Sequence, residues 1–206
     1  MKTLLTSALC LLALSLLPAE APKEIILFDG KSLDDWQAVD AGGSGTVDLQ
    51  DDQMLLGTGE SITGVVYKKA DKLPVTNYEI TLEAMRVDGS DFFCGLTFPV
   101  GETACTFVVG GWGGMVVGLS CVDNNDASEN ETTQGMEFKP DRWYRIRVRV
   151  TPEKIEAWID QEKMVDLEIA GRRIDLRFGD IKHSLPLGIA AFQTRAAIRE
   201  IRLRRL

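Results

Sequence analysis

Two stretches of this chain alternate apolar and polar residues with a strict period of two, and that pattern limits the folds open to it. Between Tyr78 and Arg86, Tyr78, Ile80, Leu82 and Ala84 alternate with Glu79, Thr81, Glu83 and Met85. Between Trp143 and Val150, Tyr144, Ile146, Val148 and Val150 alternate with Arg145, Arg147 and Arg149, and Ile155, Ala157 and Ile159 then oppose Glu156, Trp158 and Asp160. Successive side chains of a strand point to opposite faces, so each run predicts an antiparallel strand with one face buried and one in water. Glycine and proline punctuate the runs at Asp29-Gly30, Val87-Asp88-Gly89, Pro99-Val100-Gly101, Lys139-Pro140 and Thr151-Pro152, and no segment carries a capped helical period. The Arg-rich end reads as a final strand, with Ile201 and Leu203 inward and Glu200, Arg202 and Arg204 outward. Many short strands separated by turns predict an all-β fold, a two-sheet antiparallel sandwich of jelly-roll or lectin-like type.

The first residues are set apart from that fold. Lys2, the apolar run Leu4 to Leu17 and Ala19-Glu20-Ala21 have the form of a secretory signal peptide over residues 1–21, with an apolar run shorter than the roughly 20 residues of a membrane span. Leu9 precedes Cys10 where lipid attachment wants a small residue. The expectation is an exported protein, periplasmic or extracellular, with one sandwich domain over residues 22–206 and no membrane span. A formal net charge of -8 argues against nucleic acid or an anionic membrane as partner. Beyond the signal only Cys94, Cys105 and Cys121 remain, an odd number that permits at most one internal bridge. If the Pro99-Val100-Gly101-Glu102 turn folds two strands together, Cys94 and Cys105 share a face and lie diagonally near one another; otherwise the three are small buried apolar side chains.

Motifs exclude more than they assign. Gly118-Leu119-Ser120-Cys121-Val122 lacks the second glycine of a nucleophile elbow. No phosphate loop or dinucleotide fingerprint is present. His183 is the sole histidine, so it is either a solvated side chain or a general base, and no histidine-rich metal site exists. Carboxylates gather in the polar stretch from Asp123 to Thr133, as Asp123, Asp126, Glu129 and Glu131, with Asp91 before a neighbouring strand. Glycoside chemistry needs an acid and a base about the scissile bond, but this spacing alone selects no pair, and a solvated acidic loop is the alternative. Alternating oxygen donors at Asp126, Ser128 and Asn130, with Glu137 beyond, raise a weak possibility of calcium, although Glu131 stands where a calcium loop wants glycine. If Phe92, Cys94, Leu96 and Phe98 point inward, Gly95 and Thr97 point outward beside Thr106, Gly118 and Ser120, leaving a shallow polar groove. Trp112 within Gly110-Gly111-Trp112-Gly113-Gly114, or Trp158 beside Arg147, could stack on a sugar ring there or serve only for packing.

An ordered set of motifs carries a family resemblance. Leu27-Phe28-Asp29-Gly30-Lys31 with Leu33 and Trp36 resembles the opening L-F-[ND]-G-K-x-L-x-x-W of the 3-keto-disaccharide hydrolase domain family. Leu55-Leu56-Gly57-Thr58-Gly59, Gly64-Val65-Val66-Tyr67, Trp143-Tyr144-Arg145-Ile146, Ala157-Trp158-Ile159-Asp160 and Leu187-Gly188-Ile189 continue it through nearly all of residues 22–206. The resemblance implies a concanavalin A-like jelly-roll sandwich and cleavage of glycosides already oxidised at C3, with a carbohydrate or 3-keto sugar as partner; apart from the calcium possibility, no cofactor is expected. A 3-keto group acidifies the C2 proton, so a base can remove it, an oxyanion stabiliser can hold the enolate, and the glycosidic oxygen leaves before water adds. By position Asp123 resembles the aspartate ending the family's Y-E-x-Q-x-x-D strand; Asp126, Glu129 and His183 are the other candidate bases. Arg145 or Lys68 could hold the enolate, and Trp112, Thr97, Ser120, Arg145 and Trp158 are the candidate sugar contacts. The family's G-N-S-G-I-F-x-R reads here as Phe93-Cys94-Gly95-Leu96-Thr97-Phe98-Pro99, and its Y-E-x-Q as Val117-Gly118-Leu119-Ser120. Those departures leave open a non-catalytic carbohydrate-binding or interaction module on the same sandwich.

Overall fold

The computed structural model describes residues 24–206; the expected signal peptide lies outside the described residues. In chain order the strands are β1 (Glu24–Phe28), β2 (Trp36–Ala38), β3 (Val47–Gln50), β4 (Gln53–Leu56), β5 (Ile62–Tyr67), β6 (Tyr78–Gly89), β7 (Cys94–Val100), β8 (Thr103–Gly111), β9 (Val116–Ser120), β10 (Gln134–Gly135), β11 (Trp143–Val150), β12 (Lys154–Ile159), β13 (Glu162–Glu168), β14 (Gly188–Phe192) and β15 (Thr194–Arg205). Helix among the described residues is limited to 3-10 turns at Ala70–Lys72 and Asp180–Ser184, and no described helix is long and apolar enough to cross a membrane.

The strands form two antiparallel sheets. One has the order β13-β12-β11-β6-β15-β4-β3, with β1 also on β15; the other runs β10-β9-β8-β7-β14-β5-β2. The period-two runs supply their inner faces. Tyr78, Ile80, Leu82, Tyr144, Ile146 and Val148 of the first sheet are buried against Leu96, Phe98, Phe107, Leu119 and Ile189 of the second. Tyr78 also crosses the core, its hydroxyl donating to the Pro99 carbonyl at 2.5 Å, which satisfies a phenol that burial would otherwise leave unpaired. The alternate residues of the first sheet form a charged outer face. Glu79 there is held by both Arg149 and Arg204 at 2.9 and 3.0 Å. In β15, Ile201 and Leu203 are buried while Arg202 and Arg204 pair outward, and Glu200 takes a positive φ of 55° at a bulge between Arg199 and Arg202. The opening motif is structural: Phe28 and Trp36 are buried, and the Trp36 indole donates to the Leu27 carbonyl.

Two details differ from the sequence expectation. The hairpin between β7 and β8 turns at Gly101-Glu102, so Cys94 pairs with Val109 while Cys105 pairs with Phe98. The two thiols share the inner face but lie four residues apart along it, about 13 Å at the strand rise, too far for a bridge. All three cysteines are free and buried, as the alternative has it. Phe92 does not join Cys94 on the inner face. Phe93 is the fully buried ring, and Phe92 lies over Gly95 on the outer face, because regular pairing of β7 begins only at Cys94.

Candidate functional site

Register across the second sheet builds the floor of a groove. Thr97 pairs with Thr106 and Thr106 with Ser120, which aligns three hydroxyl residues across β7, β8 and β9. The next outward row is Gly95, Val108 and Gly118, continued by Ala190 of β14. A third row brings Ile62 of β5 opposite Phe192 of β14, whose ring stacks on Phe92 at 6.0 Å. The Thr97 and Thr106 hydroxyls hydrogen-bond each other at 2.8 Å. Since side chains alternate along each strand, this outer face follows from the same register that buries the core.

Three irregular segments wall the floor. The β8–β9 hairpin carries Trp112, held at a φ of 49° and 40 % exposed. Arg86 secures the root of that hairpin. It is buried between the Phe93 and Phe138 rings, and its Nη2 donates to the carbonyls of Asp91, Gly110 and Gly114 at 3.2, 3.3 and 3.0 Å. Burial pushes this guanidinium below its ordinary pKa. The connection from β13 to β14 passes over the sheet and contributes Arg177, Phe178, Asp180 and Ile181. The loop from Cys121 to Thr133 packs over β9, where a Cβ on Gly118 would meet the Ala127 carbonyl at 3.0 Å. Together they enclose a cavity of about 420 Å³ that reaches Thr106, Ser120, Asp91, Trp112, Arg177 and Asp180 on its polar side.

Charges converge at the Ser120 end. Asp126 Oδ1 accepts from the Ser120 hydroxyl at 3.1 Å and from the Cys121 thiol at 3.2 Å, and Arg177 Nε lies 3.3 Å from Asp126 Oδ2. The Arg177 guanidinium also sits 5.4 Å from the Trp112 ring centroid, a cation–π distance. Burial, then the Asp126 carboxylate, raises the Cys121 thiol to about 11, so Cys121 is not a thiolate nucleophile. Elsewhere in the cavity Asp91 accepts the backbone N–H groups of Phe92 and Gly113, and Asp180 accepts the Ser61 hydroxyl at 2.6 Å.

The candidate residues separate on this geometry. Trp112 and Ser120 line the cavity, Thr97 lies in the floor row beside Thr106, and Asp126 backs Ser120. Asp123 does not line the cavity: its carboxylate takes the Arg173 backbone N–H at 2.8 Å and Arg172 Nε at 2.6 Å, and those two donors, in that order, hold its pKa below the usual range. Glu129 and His183 are exposed outside the cavity lining, as is Lys68 on the strand end after β5. Arg145 and Trp158 belong to the outer face of the other sheet. Arg145 borders a hollow of about 180 Å³ with Glu83, Glu200 and Arg202, and the Trp158 ring is covered by Arg147 at 3.9 Å. The Asn130 side chain, considered as a calcium ligand, instead donates to the carbonyls of Leu119, Asn125 and Asp126. Among the described residues no cluster of three or more His, Cys, Asp or Glu side chains is placed to hold a metal.

Sequence alone does not single out Arg177, Phe178, Asp180 and Ile181, whereas Phe192 stands where the family resemblance has polar residues after its final G-L. Those four lie on an aperiodic crossover whose landing place is set by topology.

Likeness to solved structures fixes the fold. The chain is similar to the Bacillus licheniformis beta-glucanase (9 % identity over 91 % of this chain and 99 % of that one, TM-score 0.57). It is also similar to the carbohydrate binding module CBM66 from Bacillus subtilis (9 %, 82 % and 94 %, TM-score 0.53). A third likeness is to a Bacillus subtilis protein of unknown function with a galectin-like fold (11 %, 90 % and 96 %, TM-score 0.55). These identities carry the fold alone, which is the concanavalin A-like jelly-roll sandwich. No curated protein sequence matches the chain significantly. The profile of the 3-keto-alpha-glucoside-1,2-lyase-like domain matches residues 23–204, and so the chain belongs to the 3-keto-alpha-glucoside-1,2-lyase-like domain family.

Proposed function

We propose that this protein is exported and cleaves 3-keto-glycosides in the cavity on the outer face of its second sheet. One observation carries the proposal: Ser120, Arg177 and Trp112 line one end of a single cavity, Asp126 stands directly behind Ser120 and Arg177, and the carboxylate Asp180 lies on another wall. Carboxylates beside a cation, with hydroxyls and an exposed indole, are what proton abstraction next to a sugar carbonyl needs. Trp112 stacks on the apolar face of the ring, and the Ser120 and Thr106 hydroxyls orient it. Asp126 removes the C2 proton as base. The electron pair left on C2 moves into the C3 carbonyl, and Arg177 stabilises the oxyanion that forms. When the enolate collapses, the C1–O bond breaks, the proton taken up by Asp126 passes to the leaving oxygen, and water then adds across the new double bond. Arg177 takes the part that charge alone had suggested for Arg145 or Lys68.

A second function, carbohydrate binding without catalysis, is favoured by one specific observation: each carboxylate at the cavity already accepts a hydrogen bond from the protein. The test is to incubate residues 22–206 with a 3-keto-glucoside and follow release of aglycone. Activity that falls at least about 100-fold in Asp126→Asn supports the enzyme, in line with the 10²–10⁴ contribution of a general base. Absence of release from several 3-keto-glycosides, with sugar binding retained, leaves the binding module.

A further inference from the structure

Resting on the assignment of the cavity as the glycoside site, we infer that its substrates are glycosides of an apolar, planar aglycone rather than disaccharides. The cavity has two unlike corners. Near Ser120 it offers hydroxyls and Arg177 for a sugar, with Asp126 behind them. The opposite corner is made by Ile62, Phe92, Ile181 and Phe192, a cluster separate from the main core. Phe192 lies four residues along β14 from Gly188, which pairs with Thr97 of the hydroxyl row, so the two corners are about 13 Å apart along the strands. That span, and a volume within the 300–1,000 Å³ typical of pockets for drug-sized ligands, exceed what one sugar ring fills.

Chemistry at the second corner decides what fills the rest. A second sugar would bring several hydroxyls, and each left unpaired there would weaken binding by about 5- to 150-fold. Ile62, Phe92, Ile181 and Phe192 have no side-chain polar atom to pair with them. The polar side chains nearest this corner, Asp91 and Asp180, serve only as acceptors and each already takes protein hydrogen bonds, Asp91 from the N–H groups of Phe92 and Gly113 and Asp180 from the Ser61 hydroxyl. An aromatic ring needs no such partners and gains contact with the stacked Phe92 and Phe192. Phe178 adds a second indication. It stands fully exposed at 100 % on the crossover, yet borders this cavity. A fully solvated phenylalanine gains nothing in the free protein, whereas an aromatic aglycone beneath it gives the ring a surface to cover.

The experiment compares, by calorimetry, the binding of the 3-keto forms of methyl, phenyl and naphthyl glucosides and of a glucose disaccharide to residues 22–206 carrying Asp126→Asn, which slows turnover during the measurement. The expected order is naphthyl tighter than phenyl tighter than methyl, with at least about tenfold between the first and last, and the disaccharide no tighter than methyl glucoside. Phe178→Ala, at a site where folding is not at stake, and Phe192→Ala should each reduce the naphthyl-to-methyl ratio to below about threefold. Equal affinities for all glucosides, tighter binding of the disaccharide, or an unchanged ratio in both variants overturns this inference while leaving the sugar site standing. If none of the glycosides binds, the assignment of the site fails and the inference falls with it.

Discussion

Asn130 bears more of the candidate site than any other single side chain. Its Nδ2 donates to the carbonyls of Leu119 at 2.8 Å, Asn125 at 3.1 Å and Asp126 at 2.7 Å, and its Oδ1 accepts from the Thr132 N–H and hydroxyl at 2.9 and 2.6 Å. Thr132 Oγ1 in turn accepts the Leu119 N–H at 2.9 Å. Two side chains thus satisfy both backbone groups of Leu119, where β10 is too short to pair with the end of β9, and they fix the loop that carries Asp126. Two amide hydrogens and one oxygen sustain about four bonds at once, each worth about 0.5–1.5 kcal/mol net. Allowing for water that reaches a half-buried loop, Asn130→Ala should cost about 2–4 kcal/mol. For a protein of this size that lowers Tm by about 5–15 °C. Asn130→Asp is the sharper perturbation, since it keeps the shape and the acceptor but turns a donor toward three carbonyls into a carboxylate. At pH 7 it should be at least as damaging as alanine. A carboxyl in that position has its folded-state pKa raised, so its protonated form is favoured in the fold and the aspartate variant should recover relative to alanine as pH falls. Thermal unfolding followed by circular dichroism at pH 7 and pH 4.5 reads both effects. An aspartate variant within about 1 °C of the parent at pH 7 would refute the donor role.

Arg86→Lys keeps the charge but loses the fork, and one ammonium cannot reproduce a guanidinium set between two rings against three carbonyls. Loosening of the β8–β9 hairpin should expose Trp112, seen as a red-shifted emission and at least about tenfold weaker glycoside binding; unchanged emission and affinity would remove Arg86 from the positioning of Trp112. Burial raises the Cys94 and Cys105 thiols to about 12 and the Cys121 thiol to about 11. No thiol should therefore react with a disulfide reagent at pH 8 until the protein unfolds, and rapid labelling of the native protein would contradict the burial described for them.

The sheets were legible because they depend on local alternation. Once Tyr78–Arg86 and Trp143–Ile159 are strands, their inner residues are fixed, and the outward alignment of Thr97, Thr106 and Ser120 follows from one hairpin and one further pairing. Legibility stopped where a residue's environment comes from distant chain. Asp123 reads as a free loop carboxylate until Arg172 and Arg173, about fifty positions later, are brought against it. Arg145 and Trp158 read correctly as outward residues of β11 and β12, but outward has two directions in a sandwich and theirs faces away from the cavity. Arg177, Phe178, Asp180 and Ile181 sit on a connection with neither period, so nothing in their spacing says that it folds back over β8 and β9. Phe92 shows the finest limit: a strand that begins two residues later reverses the face of the residue before it.

The strands β14 and β15 stand near the middle of different sheets, separated only by Gln193. Without them the first sheet falls into β13-β12-β11-β6 and β4-β3, and the second into β10-β9-β8-β7 and β5-β2. Folding therefore cannot join either sheet until residues 188–205 are available, and the pairings they make reach back across most of the sequence. Such non-local closure is slow, on the order of milliseconds to seconds for sandwiches. Phe92 sits on one side of that late junction and Ile62 on the other, with Phe192 on the strand that closes it. The cavity is thus among the last features of the molecule to come into being, and a partly folded chain has no site with which to engage a sugar.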